Sequence, residues 1–126
     1  VEHIENAVEQ AARGTGVIVG EFTAGPVYPG EGRRAGLELV VEVQPGTDAA
    51  TLARFAQAFD ASLKAQNIDY TTKRTDSLGM QEPTITPVPF GAFHQWMERR
   101  GKLGGQNKCP RCANHRDYVE GVRSPQ

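Results

Sequence analysis

The stretch "GLELVVEV" at residues 36–43 alternates apolar and polar side chains along most of its length. Every second position is apolar from Leu37 to Val43, while Glu38 and Glu42 lie between these positions. Because successive side chains of a β-strand point to opposite faces of a sheet, this period of two predicts a strand with one buried face. We therefore expect residues 36–43 to form a half-buried strand.

The residues before this strand predict a partner strand and a helix. The stretch "GVIVGEFTA" at residues 16–24 is rich in β-branched side chains and runs into glycines and prolines that begin at Gly25. Residues 3–13 carry apolar side chains at helical spacing and place charged side chains on the opposite side. A helix followed by a two-stranded hairpin is therefore predicted for the first third of the chain.

The residues after the strand predict a long helix. Residues 48–66 place apolar side chains on one helical stripe that runs from Leu52 to Leu63. Thr47 or Asp48 is suited to cap its first turn, because a short polar side chain there can accept a backbone N–H. This stripe predicts a helix that packs on the sheet.

Shorter elements are predicted further along the chain. Residues 67–77 are expected to continue the long helix or to follow it as an irregular helical turn. Residues 82–90 predict a strand, but Pro87 and Pro89 lack the amide hydrogens that a central strand needs. That strand is therefore expected at an edge of the sheet.

Two short helices are predicted near the carboxyl end, one over residues 91–101 that faces the core and one over 114–122 that Asn114 caps. With the elements above, this order predicts an α+β fold. We expect a small two-layer sandwich in which helices pack on a short, mainly antiparallel sheet of about three strands. A chain of 126 residues has the size of one domain, so residues 1–126 are predicted to form one.

Composition excludes several classes of partner. The formal net charge of −1 produces no general attraction to nucleic acids or anionic membranes. The apolar runs are too short to cross a bilayer, and no basic segment followed by an apolar one opens the chain. We expect a soluble, cytoplasmic protein with no nucleic-acid or membrane partner.

The stretch "GKLGGQNKCPRCANHR" at residues 101–116 contains a cysteine motif. Three hypotheses describe what its cysteines could do. Cys109, Cys112 and His115 supply three zinc ligands, but a structural zinc site needs four, so no metal is expected. A redox pair is a second hypothesis, because neighbouring basic side chains would lower the thiol pKa. The third hypothesis is that Cys109 and Cys112 are two unrelated thiols in a loop.

The same stretch also carries a candidate phosphate-binding or carboxylate-binding group. Gly104 and Gly105 permit backbone conformations that are closed to other residues, which lets a following side chain, Lys108, approach a ligand closely. The Lys108 ammonium would neutralise a phosphate or carboxylate, and Gln106 and Arg111 would donate further hydrogen bonds. The sequence G-K-[ST] of a Walker loop is absent. The alternative is a set of ordinary solvated basic residues.

Residues 91–121 resemble the C-terminal end of the Gretchen Hagen family of auxin-responsive acyl acid amido synthetases. The motif Q-x-K-x-P-R carries this resemblance, and it consists here of Gln106, Lys108, Pro110 and Arg111. The upstream blocks "EFTAG", "LELVVEV", "FDASLKAQNIDYTTKR" and "PTITPVPFGAF" resemble successive parts of the same domain. The likeness therefore covers nearly the whole chain.

The resemblance implies an adenylate-forming ligase. In this superfamily a large N-terminal domain binds ATP with magnesium and a carboxylic acid, and a small C-terminal domain closes over that site. The acid becomes an acyl-adenylate, and the amine of an amino acid then forms the amide. By this resemblance residues 1–126 are the C-terminal lid domain, the ATP-binding domain lies outside the chain, and Lys108 is the catalytic lysine of the adenylation step.

A lid domain alone is expected to be inactive and to bind no cofactor. Its partners would be the N-terminal adenylation domain of the same polypeptide and the small-molecule carboxylic acid and amino acid. Asn67, Tyr70 and Arg74 match a family block and are expected to fix the turn after the long helix. Two alternatives stay open: a free-standing, non-catalytic binding or assembly module with the same fold, and a zinc-binding module.

Overall fold

The computed structural model describes residues 2–30, 32, 34–75, 79–99 and 111–123. These residues form five helices and three strands, which are, in chain order, α1 (Glu2–Thr15), β1 (Val19–Val27), β2 (Gly36–Val43), α2 (Ala49–Gln66), α3 (Ile68–Thr75), β3 (Thr84–Val88), α4 (Ala92–Arg99) and α5 (Asp117–Arg123).

The three strands form one sheet in the order β1-β2-β3. β1 and β2 pair antiparallel, with Ala24 opposite Leu39, so the predicted hairpin is confirmed. β3 lies at an edge, as Pro87 indicated, and pairs parallel to β2 with Ile85 beside Leu39. The sheet is mixed because α2 and α3 form a crossover between β2 and β3, and such a crossover returns the chain in the same direction. The predicted α+β sandwich is confirmed.

β1 extends further than its sequence indicated. It continues through Gly25 and Pro26 to Val27, although these residues were predicted to begin a turn. A Cβ atom at position 25 would lie 2.9 Å from the carbonyl oxygen of His115, so glycine lets a later part of the chain approach the strand. Gly25 therefore reflects a close contact between β1 and the segment that precedes α5, and not a break in the strand.

One face of the sheet is covered by α1 and α2. The core on this side contains buried apolar side chains from both helices and from β1 and β2, chiefly Ala7, Val8, Ala11, Phe22, Leu39, Val41, Phe55, Phe59 and Leu63. The alternation in β2 and the stripe along α2 predicted this layer.

The other face of the sheet is also covered, by α4 and α5. Its smaller core consists of Val40, Val88, Phe93, Trp96, Met97, Val119 and Val122. Glu38 and Glu42 point to this side and are only 2% and 6% exposed. The prediction that β2 has one buried face was therefore wrong, because a second helical layer shields the polar positions of the strand from water.

Side-chain caps define the start of two helices. Asp48 has an extended backbone and its carboxylate accepts the Thr51 N–H at 2.8 Å, which confirms the predicted cap of α2. α5 begins at Asp117, three residues after Asn114, so the predicted cap at Asn114 was wrong. The Nδ1 atom of His115 accepts the Asp117 N–H instead, at 3.2 Å.

None of the helices in the described part of the chain is long and apolar enough to cross a bilayer.

Candidate functional site

Arg111 is the one predicted site residue among those that the structure describes. Lys108, Gln106, Gly104 and Gly105 lie outside the described residues, as does Cys109. Their roles stay predictions. The described residues on either side of the Q-x-K-x-P-R motif belong to α4, which ends at Arg99, and to the segment that runs from Arg111 to α5.

The segment that follows the motif is held on the outer edge of β1. The Ala24 N–H donates to the Arg111 carbonyl at 2.9 Å, and the Ala113 N–H donates to the Ala24 carbonyl at 3.0 Å. Ala24 and Cys112 thereby form an isolated parallel bridge. The last residue of the motif therefore occupies a defined register beside the sheet.

The Arg111 side chain reaches across β1 to α1. Its Nη1 donates to Glu5 Oε2 at 2.9 Å, and its Nη2 lies 4.0 Å from Glu21 Oε1. The guanidinium carbon stands 5.0 Å from the centroid of the Phe22 ring, within range of a cation–π contact. With 46% of the side chain exposed, Arg111 lines an open groove of about 440 Å³ between α1 and β1.

The helix that precedes the motif is held by Glu42. One carboxylate oxygen accepts the Glu21 N–H at 3.0 Å, and the other accepts the N–H groups of Gly91 and Phe93, each at 3.2 Å. Gly91 directly precedes α4 and Phe93 lies in its first turn, where a carboxylate satisfies donors that have no partner within the helix. The buried carboxylate therefore joins β1, β2 and the start of α4.

The helix that follows the motif is held by Glu38. Arg116 Nη2 donates to Glu38 Oε1 at 2.7 Å, Arg123 Nη1 donates to Oε2 at 2.9 Å, and Thr86 Oγ1 donates to Oε2 at 2.6 Å. Burial raises the pKa of Glu38, but the hydrogen bonds from Thr86 and Arg116 and the charges of both arginines outweigh it, so the pKa lies below its usual range. Glu38 is therefore ionised at neutral pH.

A cleft of about 410 Å³ opens beside this network, lined by Val27, Tyr28, Glu38, Gln81, Thr84, Arg116, Glu120 and Arg123. Its charged groups pair with one another. The Nη2, Nε and Nη1 atoms of Arg116 donate to Glu38, to Glu120 and to the Pro26 carbonyl, respectively. This internal pairing indicates that the network holds α5 on the sheet.

A second polar network joins α2 to α3. The Tyr70 hydroxyl donates to Asp60 Oδ1 at 2.5 Å, and Arg74 binds both Asp60 oxygens, at 2.9 and 2.8 Å. The Asn67 side chain accepts the Asp69 and Tyr70 N–H groups and so caps α3. The predicted structural role of Asn67, Tyr70 and Arg74 is confirmed.

The pKa values in this second network follow from burial and pairing. Burial raises the pKa of Asp60, but the hydrogen bonds from Arg74 and Tyr70 and the charges of Arg74 and Lys64 together outweigh it, so the pKa is lowered. Burial and the bond to Asp60 raise the pKa of Tyr70. Asp60 itself was not singled out from the sequence, because it stands at a helical position that looks like any solvated carboxylate.

The described members of the cysteine motif, Cys112 and His115, make separate contacts within the domain. Cys112 is a half-buried free thiol that packs against the core of the α1–α2 side. The His115 ring accepts the Asp117 N–H and lies 4.9 Å from the Tyr118 ring. Within the described ranges, no three His, Cys, Asp or Glu side chains could hold a metal ion together. The zinc-binding module, which also needs Cys109, stays an untested alternative.

Comparisons with known proteins agree with this fold. The structure of GH3.15 acyl acid amido synthetase superposes with a TM-score of 0.76 at 16% identity over 96% of this chain, and the complex of AtGH3.15 acyl acid amido synthetase with 2,4-DB has the same values. At this identity the likeness shows the shared fold. The chain spans 23% of the length of these solved proteins. No curated protein matches the sequence significantly.

A match to a protein family identifies the family of the chain, whereas these superpositions show only its fold. Residues 2–117 match the family described as "GH3 family C-terminal domain", and this range includes the whole Q-x-K-x-P-R motif. The match extends from the start of α1 to the start of α5. The chain therefore belongs to the GH3 family, the Gretchen Hagen family that the motif resembles, as its C-terminal domain.

Proposed function

We propose that this chain is the lid domain of an ATP-dependent acyl acid amido synthetase and that it supplies Lys108 to the adenylation half-reaction. The observation that supports this most is the family match over residues 2–117, which contains the motif. The partners in this proposal are the N-terminal adenylation domain of the same polypeptide, ATP with magnesium, a small carboxylic acid and an amino acid.

The chemistry of adenylation explains why a cation is needed. A carboxylate oxygen of the acid attacks the α-phosphorus of ATP, a new P–O bond forms, and pyrophosphate leaves. In the second half-reaction the amino acid amine attacks the acyl carbon and AMP leaves. The first step brings two anionic groups together, so an ammonium placed between them stabilises the transition state more than the separated reactants.

The described structure supports this role through the residues that flank the motif. Glu42 holds the start of α4, which leads toward the motif, and Ala24 holds the backbone at Arg111, where the motif ends. The lysine is therefore carried between two segments that hydrogen bonds tie to the sheet. Gly104 and Gly105 permit close backbone approach to a phosphate, and Gln106 would donate a hydrogen bond to the same group.

Half-reaction kinetics of the full-length enzyme test the proposal. Lys108→Ala should lower acyl-adenylate formation by about a hundredfold or more, the scale of removing one preorganised electrostatic group. Amide formation from presynthesised acyl-adenylate should change little. Lys102→Ala in the same stretch is the matched control and should leave both half-reactions near the wild-type rate. Equal losses in both half-reactions for Lys108→Ala would contradict the assigned role.

A further inference from the structure

We propose that Arg111 is a positioning residue that fixes the carboxyl end of the Q-x-K-x-P-R motif on β1, and that its guanidinium does not bind substrate. The effect on catalysis rests on the proposed function of the motif. The structural part of the proposal is that the guanidinium holds the register of the backbone on β1. This part does not depend on the proposed function.

The backbone contacts show what is held. Ala24 both donates to the Arg111 carbonyl and accepts from the Ala113 N–H, at 2.9 and 3.0 Å. These two bonds form one rung of a parallel ladder on the edge of β1. A single rung has no neighbouring rungs in the described residues to support it, so its register depends on the side chains that flank it.

The side-chain contacts show what holds it. The Arg111 guanidinium bonds Glu5 on α1 and stands over the Phe22 ring on β1. A planar guanidinium is suited to these two contacts at once, since its edge donates hydrogen bonds while its face covers the ring. Arg111 thereby links the motif end to two different elements of the α1–α2 side.

The charges around Arg111 disfavour an anionic ligand. The groove that it lines is also lined by Glu5 and Glu9, and Glu21 lies 4.0 Å from its Nη2. The other cation of the groove, Arg13, pairs with Glu9 at 2.6 Å. A triphosphate that approached this guanidinium would therefore also approach three carboxylates, and the repulsion between like charges opposes its binding.

Amide hydrogen exchange on this chain tests the structural part through a charge swap. Arg111→Glu and Glu5→Arg are each expected to accelerate exchange at the Ala24 and Ala113 amides by roughly tenfold, because each leaves like charges facing one another. In the double variant both rates should fall clearly below those of the single variants, since the pair between positions 5 and 111 is restored in reverse while the contacts of Arg111 with Phe22 and Glu21 are not.

Two controls keep this test decisive. The Phe59 amide in α2 reports whether a variant is folded, and Arg111→Gln replaces Arg111→Glu if the charge reversal prevents folding. Arg13→Gln, in the same groove, should leave the Ala24 and Ala113 rates unchanged. Unchanged exchange at both amides in Arg111→Gln, or a double variant no better than the single ones, would overturn the proposal.

Steady-state kinetics of the full-length enzyme test the catalytic part. Arg111→Gln should lower kcat of adenylation about tenfold and leave KM for ATP within about twofold, and the charge swap should recover part of the lost kcat. A tenfold rise in KM for ATP that the swap does not recover would identify Arg111 as a phosphate ligand and refute positioning. If Lys108→Ala leaves adenylation intact, the proposed function fails while the exchange result still decides the structural part.

Discussion

The two faces of the sheet are built in different ways. The face under α1 and α2 is packed almost entirely by apolar side chains, with Phe55 and Phe59 fully buried. The face under α4 and α5 has a smaller apolar core and two buried carboxylates, Glu38 and Glu42. Apolar packing stabilises in proportion to area and has no preferred direction, whereas hydrogen bonds to a carboxylate fix orientation. The helices that flank the motif are therefore held by directional bonds to buried carboxylates as well as by apolar packing.

The largest effect is expected on the apolar face. Phe55→Ala removes a fully buried ring from α2 and should lower the free energy of unfolding by about 4 kcal/mol, from lost burial and from the cavity left behind. Urea unfolding measures the change. Gln57→Ala, at an exposed position of the same helix, should stay within about 0.5 kcal/mol of wild type. A loss below about 1 kcal/mol for Phe55→Ala would show that this face does not dominate stability.

The next largest effect is expected at Glu38. Glu38→Gln leaves Arg116 and Arg123 without their buried counter-charge and should cost about 3 kcal/mol, because an unpaired charge in a desolvated site is unfavourable. The matched control is Glu120→Gln, which removes an exposed partner of Arg116 and should cost less than about 1 kcal/mol. Equal losses in the two variants would mean that burial adds nothing to the Glu38 pair.

A smaller and more local effect is expected at Glu42. Glu42→Gln replaces one of two acceptor oxygens with an amide donor that faces backbone N–H groups, and it should cost about 1.5 kcal/mol. Amide exchange at Gly91 and Phe93 should accelerate more than exchange in α2, while Glu98→Gln on the exposed side of α4 should change neither. Uniform acceleration across the protein would indicate that Glu42 does not act specifically on α4.

The smallest effect is the contribution of Glu38 to the loss of stability at low pH. Folding lowers the pKa of Glu38, so its contribution to stability is complete above its ordinary pKa of 4.5 and is lost as pH falls through the lower folded value. Urea unfolding between pH 7 and pH 3 should show wild-type stability decreasing with acid and a shallower decrease for Glu38→Gln. Asp60, whose pKa is also lowered, should account for part of the remaining slope. Parallel curves for the two proteins would contradict this assignment.

Elements with a strong local pattern were predictable from the sequence. The stripe along α2, the Asp48 cap and the alternation in β2 all reflect periods of a few residues, so local spacing suffices to find them. The edge position of β3 followed from the missing amide hydrogen of Pro87. Family membership was likewise predictable, because the Q-x-K-x-P-R motif is a contiguous block.

Features that depend on distant residues were not predictable. Glu38 and Glu42 looked like the solvent-facing positions of an amphipathic strand, and only the packing of α4 and α5 buries them. The arginine partners of Glu38, Arg116 just before α5 and Arg123 on α5, lie 78 and 85 positions away, and the Glu5 partner of Arg111 lies 106 positions away. No spacing rule reaches across such separations.

By itself, the sequence determined the secondary structure of the apolar side, the α+β class and the family, since these follow from short periods and a contiguous motif. The tertiary structure decided which polar residues are buried, which helices those residues hold, and where the end of the motif attaches to β1. The physical reason is that a carboxylate or guanidinium is stable in the interior only when a partner reaches it, and folding alone brings such partners together.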